Sequence, residues 1–223
     1  MKNLKLFAIL LIALTTAPLA FAPVLDEATL KVKMVHALKI LRTIIFTYHP
    51  FDEDIWEEAC ALIRAEGLVD PYTCHIGLTM ADLHPDDPHN INRAHGILYD
   101  AAHCCSNEAF LYILDGTPGL PGDPTLVRTL LQEPWSSWTP LHAAASNKEC
   151  SPHNIQSITA MLEYFPDPAE RLALLRKGEI ENHGWTVIKS AQYNHHPTDP
   201  ARIFLEQQEQ EALAAIAATA ITH

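Results

Sequence analysis

The chain has 223 residues, of which 15 are basic and 27 acidic, for a net charge of −12, and 48% are hydrophobic. That length suits one domain of ordinary size or two small ones, and the apolar content excludes a disordered chain. The acidity argues against nucleic acid and anionic membrane as partners, because both select basic surfaces.

Residues 1–22 read as a secretory signal. Lys2 and Lys5 form a basic start, Leu6 to Leu14 an uninterrupted apolar run, and Ala20-Phe21-Ala22 the small-x-small pattern of a cleavage site. Pro18 and Pro23 interrupt the run, which is short for a spanning helix. Pro23 directly after the cut is a position that signal peptidases usually reject, so an uncleaved anchor or a shifted cut is the alternative. Cleavage removes two lysines and no acid, leaving 13 basic against 27 acidic residues. Export also exposes Cys60, Cys74, Cys104, Cys105 and Cys150 to an oxidising compartment, where some should pair. The candidate pairs are Cys60 with Cys74, and Cys105 or Cys104 with Cys150. The alternative is that several are small buried hydrophobes.

The next element is a helix over about 26–47. Asp26 and Glu27 suit its start, and Val32, Val35, Leu38, Leu41 and Ile45 share one apolar face. Lys31, Lys33, Lys39 and Arg42 lie on the same helix. A basic amphipathic helix can bind a membrane surface, but covering the end of a core with its charges in water is the commoner use. A second helix is predicted over about 54–66. The acids 52–54 before it favour the positive end of its dipole, with a cation site as the functional alternative. Residues 68–94 are turn-rich, with Asp70-Pro71, His84-Pro85 and Asp87-Pro88. Beyond them the chain reads as short helices broken by Pro, Gly and Asn, and no stretch shows the two-residue alternation of a strand. With 8 Gly and 16 Pro, the composition fits helices punctuated by turns.

The most informative stretch is Thr139-Pro140-Leu141-His142-Ala143-Ala144-Ala145. Thr139 can cap a helix and Pro140 fits its first position. Leu141 points to a core, and Ala144 and Ala145 let a partner helix approach closely. Gly96-Ile97-Leu98-Tyr99-Asp100-Ala101-Ala102 and Gly184-Trp185-Thr186-Val187-Ile188-Lys189-Ser190-Ala191 line up with it. Leu98, Leu141 and Ile188, and likewise Ala101, Ala144 and Ala191, are spaced by 43 and then 47 residues. An apolar pair follows each copy: Ile113-Leu114, Met161-Leu162 and Phe204-Leu205.

The stretch Thr139–Ala145 resembles the T-P-L-H-x-A-A signature of ankyrin repeats, and the resemblance extends over about residues 89–215. It implies an all-α solenoid of stacked helix pairs, in which Thr139 and His142 hydrogen-bond across neighbouring turns. Asn90 to Gly96 and Glu181 to Gly184 correspond to the turns before the helix pairs. The departures are length and signature. An ordinary ankyrin repeat is about 33 residues long, and these are longer by roughly 10–14. The surplus reads as added helices over about 123–132 and 168–177. The first copy lacks the Thr-Pro, and the last lacks both Pro and His. Armadillo- or HEAT-like arrays, with longer repeats, are the alternative architecture. Helices over 26–47 and 198–221 would cap the stack. The organisation is thus a signal at 1–22, a helical capping region at 23–88 and a repeat region at 89–223.

No nucleophile elbow, P-loop, dinucleotide-binding glycine pattern or H-E-x-x-H occurs. His103 beside Cys104 and Cys105 makes no thiol–base pair, because adjacent helical residues point in different directions. His84, His89 and His95 share a loop with Asp82, Asp86 and Asp87, and His195 and His196 precede the last helix, but none of these has a metal-ligand spacing. The chain therefore reads as a non-enzymatic, cofactor-free protein-binding module, secreted or periplasmic, or membrane-anchored if the N-terminal segment is uncleaved. Its partner is a protein, and its expected partner-contacting residues are Trp135, Ser136, Trp138, Asn182, His183 and Trp185, with Trp135 the leading contact. Trp138 and Trp185 could equally pack against neighbouring turns. The competing class is an exported, His-rich metal-binding helical protein.

Overall fold

A computed structural model describes residues 26–47, 50–65, 70–104, 107–115, 124–133, 138–147, 154–178 and 185–221. They are all-α, with eleven helices and no strand among the described residues. The helices are α1 Glu27–Thr47, α2 Glu53–Ala65, α3 Met80–Leu83, α4 Ile97–Cys104, α5 Asn107–Asp115, α6 Pro124–Gln132, α7 Pro140–Ser146, α8 Asn154–Glu163, α9 Pro168–Leu175, α10 Val187–Asn194 and α11 Pro200–Ile221. The added helices expected at 123–132 and 168–177 are α6 and α9.

Acids start many of these helices. An oxygen of Asp26 accepts the Thr29 amide at 2.9 Å, and Asp52 accepts that of Ile55 at 3.1 Å. Asp167 takes the Ala169 and Glu170 amides at 2.9 Å, with Pro168 in the first helical position. Asp199 accepts the amide of Ala201 at 2.9 Å. Each satisfies amides that a helix start leaves without a partner, a contribution of about 1 kcal/mol. Asp52 thereby serves as a helix cap.

The row α1, α4, α7, α10 follows chain order, each helix packed against the next. Behind the row, α2 packs on α1, α5 on α4, α8 on α7 and α11 on α10, and α5 touches α8 as α8 touches α11. Helix α6 lies against α4 and α7, α9 against α10 and α11, and α3 against α1. One continuous set of buried side chains runs from Ala37 to Leu205. Leu98, Leu141 and Ile188 are buried within it, and so are Ala101, Ala144 and Ala191. Burial of each large side chain contributes about 1.5–3 kcal/mol, and the alanines allow neighbouring helices to close up.

The basic residues of α1 are partly used inside the fold. Lys31 pairs with Asp82 at 2.7 Å, and Arg42 with the buried Asp100 at 3.1 Å. The turn-rich stretch after α2 closes on itself through Met80 N–H to Asn92 O (2.7 Å), Ala81 N–H to Asn90 O (2.9 Å) and Ala94 N–H to Leu78 O (2.9 Å). It holds the four-residue α3, which the sequence pattern does not announce.

Cys60 and Cys74 are buried and no disulfide joins them, contrary to that candidate pair. The Cys74 thiol donates to Pro71 O at 3.2 Å, and burial pushes its pKa up to about 12. Cys105, Cys150 and the Cys104 side chain lie outside the described residues, as does the signal segment 1–22. Among the described residues, no helix is long and apolar enough to cross a membrane.

Candidate functional site

The site is built on α4, α7, α10 and the turns that lead into them. Thr139 is extended (φ −97°, ψ 169°) and ends the turn before α7. Its N–H donates to His142 Nδ1 at 3.1 Å, and its hydroxyl lies 2.9 Å from the same nitrogen. Because Nδ1 accepts from a backbone amide, the ring proton sits on Nε2, which donates to Trp185 O at 3.2 Å. His142 therefore ties its own turn to the turn 43 residues further on. It is fully buried, and burial pushes its pKa down to about 4, so the ring is neutral. Gly178 (φ +99°) makes this junction possible: a Cβ there would stand 2.3 Å from Trp185 O. Thr186 repeats the cap, its hydroxyl accepting from Lys189 N–H at 3.1 Å.

Other polar side chains seal the same stack. His195 is buried, with Nε2 2.9 Å from Ala145 O and Nδ1 3.2 Å from Asp199. Asn147 donates to His103 O at 2.8 Å, and Asn154 donates to Ala144 O and Asn147 O at 3.0 and 2.8 Å. Asp100 receives Arg42 on one oxygen and His95 Nδ1, 3.0 Å away, on the other. His75 packs its ring on Gly96, where a Cβ would meet the ring at 2.9 Å, and bonds Glu133 at 2.7 Å. That bond holds the Glu133 carboxyl below its ordinary range. His95 and His195, read from sequence as loop histidines, are thus internal bridging groups. Among the described residues, no three His, Cys, Asp or Glu side chains converge as a metal site.

Aromatic rings line this row of helices and turns. At the 43- and 47-residue offsets, His95, Trp138 and Trp185 occupy equivalent places. One turn on come Tyr99, His142 and Lys189, and one further turn on come His103, Ser146 and Tyr193. The rings lie against one another along and across these rows. His95–Tyr99 centroids are 4.9 Å apart, Tyr99–His103 6.3 Å, Trp138–His142 5.8 Å, Trp138–Trp185 6.4 Å and Trp185–Tyr193 5.0 Å. Trp138 and Trp185 are half-buried, His103 is exposed, and Tyr193 is 74% exposed. A recess beside this face is lined by His75, Arg93, Gly96, Tyr99, Glu133 and Pro140, among others.

Of the expected partner-contacting residues, the structure brings Trp138 and Trp185 together. Trp135, Ser136, Asn182 and His183 lie outside the described residues. The signature residues Thr139, Pro140, Leu141, His142, Ala144 and Ala145 are all buried and serve the stack. Tyr193, Lys189 and His103 were not among the expected residues, although the repeat offsets that align the alanines also align these positions.

Compared with known proteins, the chain matches no family model, no curated protein and no solved structure.

Proposed function

We propose that the chain is an exported, ankyrin-like array of lengthened repeats that binds a protein partner and has no catalytic activity of its own. The observation that carries the reading is the row α4, α7, α10 with its contiguous aromatic face of Trp138, Trp185 and Tyr193. The T-P-L-H match at Thr139–His142 supports the family assignment, as does the bond from His142 to the equivalent turn of the next unit. The backing helices α5, α8 and α11 fit a stack of helix pairs, and α6 and α9 account for the longer repeat. Such arrays spread binding over turns and first helices, leaving the remaining surface to solvation. Large aromatic rings that are half exposed supply contact area at small entropic cost, and tryptophans commonly dominate interface energetics. His195, Asn147 and Asn154 are engaged in bonds that hold the stack, which suits a scaffold.

Affinity capture from the exported fraction of the producing cell tests the reading. Wild type should retain a stoichiometric protein, and Trp185→Ala should weaken its binding by about 2 kcal/mol or more, a factor of roughly 30, while keeping the helical circular dichroism spectrum. Retention of the same partner at equal strength by W185A and W138A would refute this face as the binding surface.

A further inference from the structure

Helix α11 has two faces, and the fold uses one. Ala201, Leu205 and Ala212 are buried where α11 packs on α8, α9 and α10. Half a helical turn away, Ile203, Gln207, Gln210, Ala214, Ala217 and Ile221 are all exposed, Ile203 by 48% and Ile221 by 86%. Steps of four and three residues put them in one stripe, which runs about 27 Å at 1.5 Å per residue. No charged residue lies in it. The acids beside it are engaged within the chain: Glu206 accepts from Arg202 and Gln192, Glu209 from Arg176, and Glu211 from Gln207 and Gln208. The last unit of a stacked array needs a polar outer side. Here the outer side of the last helix is an uncharged stripe with an exposed isoleucine at each end, and none of its described residues beyond Ala212 is buried. A helix end with no packed face is marginal in water.

We propose that this stripe is covered by the same stripe of a second copy, running antiparallel. A two-fold interface requires that where residue i meets j, residue j meets i. Centred on Ala212, the stripe satisfies this with matching chemistry. Ile203 meets Ile221, Gln207 meets Ala217 and Gln210 meets Ala214. Apolar ends cover apolar ends, and each long amide side chain lies over a methyl group. A parallel pair would instead set Gln207 on Gln207 and Gln210 on Gln210, and would align the two helix dipoles. With no charge in the stripe, a basic or an acidic partner gains nothing there. Six side chains a copy are few against about 20–30 in a stable interface, so the pair is weak, with a Kd on the order of 10–100 µM. Trp138, Trp185 and Tyr193 lie outside the stripe, so self-association is independent of the partner-binding reading.

Sedimentation velocity of the purified full-length protein across about 1–300 µM tests this. Wild type should pass from monomer to dimer over that range. Ala217→Glu, at an exposed helical position, should keep the helical circular dichroism spectrum and weaken the dimer by about tenfold or more, because it buries a carboxylate against Gln207 of the other copy. Gln207→Lys with Ala217→Glu should restore the dimer, because positions 207 and 217 meet only across the antiparallel pair. A wild type that stays monomeric, an association that A217E leaves unchanged, or a loss that Q207K/A217E does not repair would each overturn the proposal.

Discussion

Replacing His142 with glutamine should flatten the acid side of the stability profile. His142 is fully buried, and its burial outweighs the backbone bonds from Trp185 and Lys177 that favour protonation, leaving the pKa near 4 against 6.5 for a free ring. A folded-state pKa below the unfolded one means that the fold binds the neutral ring. This stabilisation is complete above about pH 6.5 and is lost as the pH falls toward 4. Linkage makes the loss about 2 kcal/mol between pH 7 and 5, approaching about 3 kcal/mol near pH 4. In a chain of this size, 2 kcal/mol corresponds to roughly 4–8 °C in melting temperature. The glutamine amide would keep an acceptor for Thr139 N–H and a donor for Trp185 O without titrating. Carboxylates held low, such as Glu133 and Asp82, are common to both proteins and cancel in the comparison. Urea denaturation of wild type and H142Q, followed by far-ultraviolet circular dichroism at pH 7 and 5, measures it. Wild type should lose about 2 kcal/mol more than the variant over that interval. Equal losses would refute the buried, neutral ring and the junction built on it.

Arg42→Met should strip the buried Asp100 of its cation and destabilise the fold by about 3 kcal/mol, with part recovered in R42M/D100N; thermal melts report both. Gly178→Ala should cost more than Gly77→Ala in denaturant titrations. Both glycines have positive φ, but a Cβ on Gly178 strikes Trp185 O, whereas Gly77 faces open space. Equal costs would mean that the chain after α9 does not press on that turn. Cys74, buried and with its thiol pushed up to about 12, should resist iodoacetamide at pH 8 until urea unfolds the chain, as read by peptide mass mapping.

Local chemistry made much of the helical pattern legible. Asp26, Asp52 and Asp167 mark their helix starts because a short acid before an apolar period is also what the free amides need. Repeat offsets found the row helices, because Leu98, Leu141 and Ile188 fill equivalent places in one core. Helix α3 was not legible. Four residues carry no period, and its cap depends on Asp82, which also pairs with Lys31 from α1. Nor could spacing reveal His75 on Glu133, 58 residues away, or Asp100 shared by Arg42 and His95, since tertiary packing creates those bonds. At the site, tryptophan content pointed to Trp138 and Trp185. Tyr193 and Lys189 emerge only when the helical four-residue step is followed down α10 from the aligned turn.

Hydrogen exchange of the protein alone and bound to its captured partner tests the binding surface most directly. Protection should appear in the turns and first residues of α4, α7 and α10, across Arg93 to His103, Trp138 to Ser146 and Trp185 to Tyr193. Protection confined to the backing helices α5, α8 and α11, with those three stretches unchanged, would contradict it.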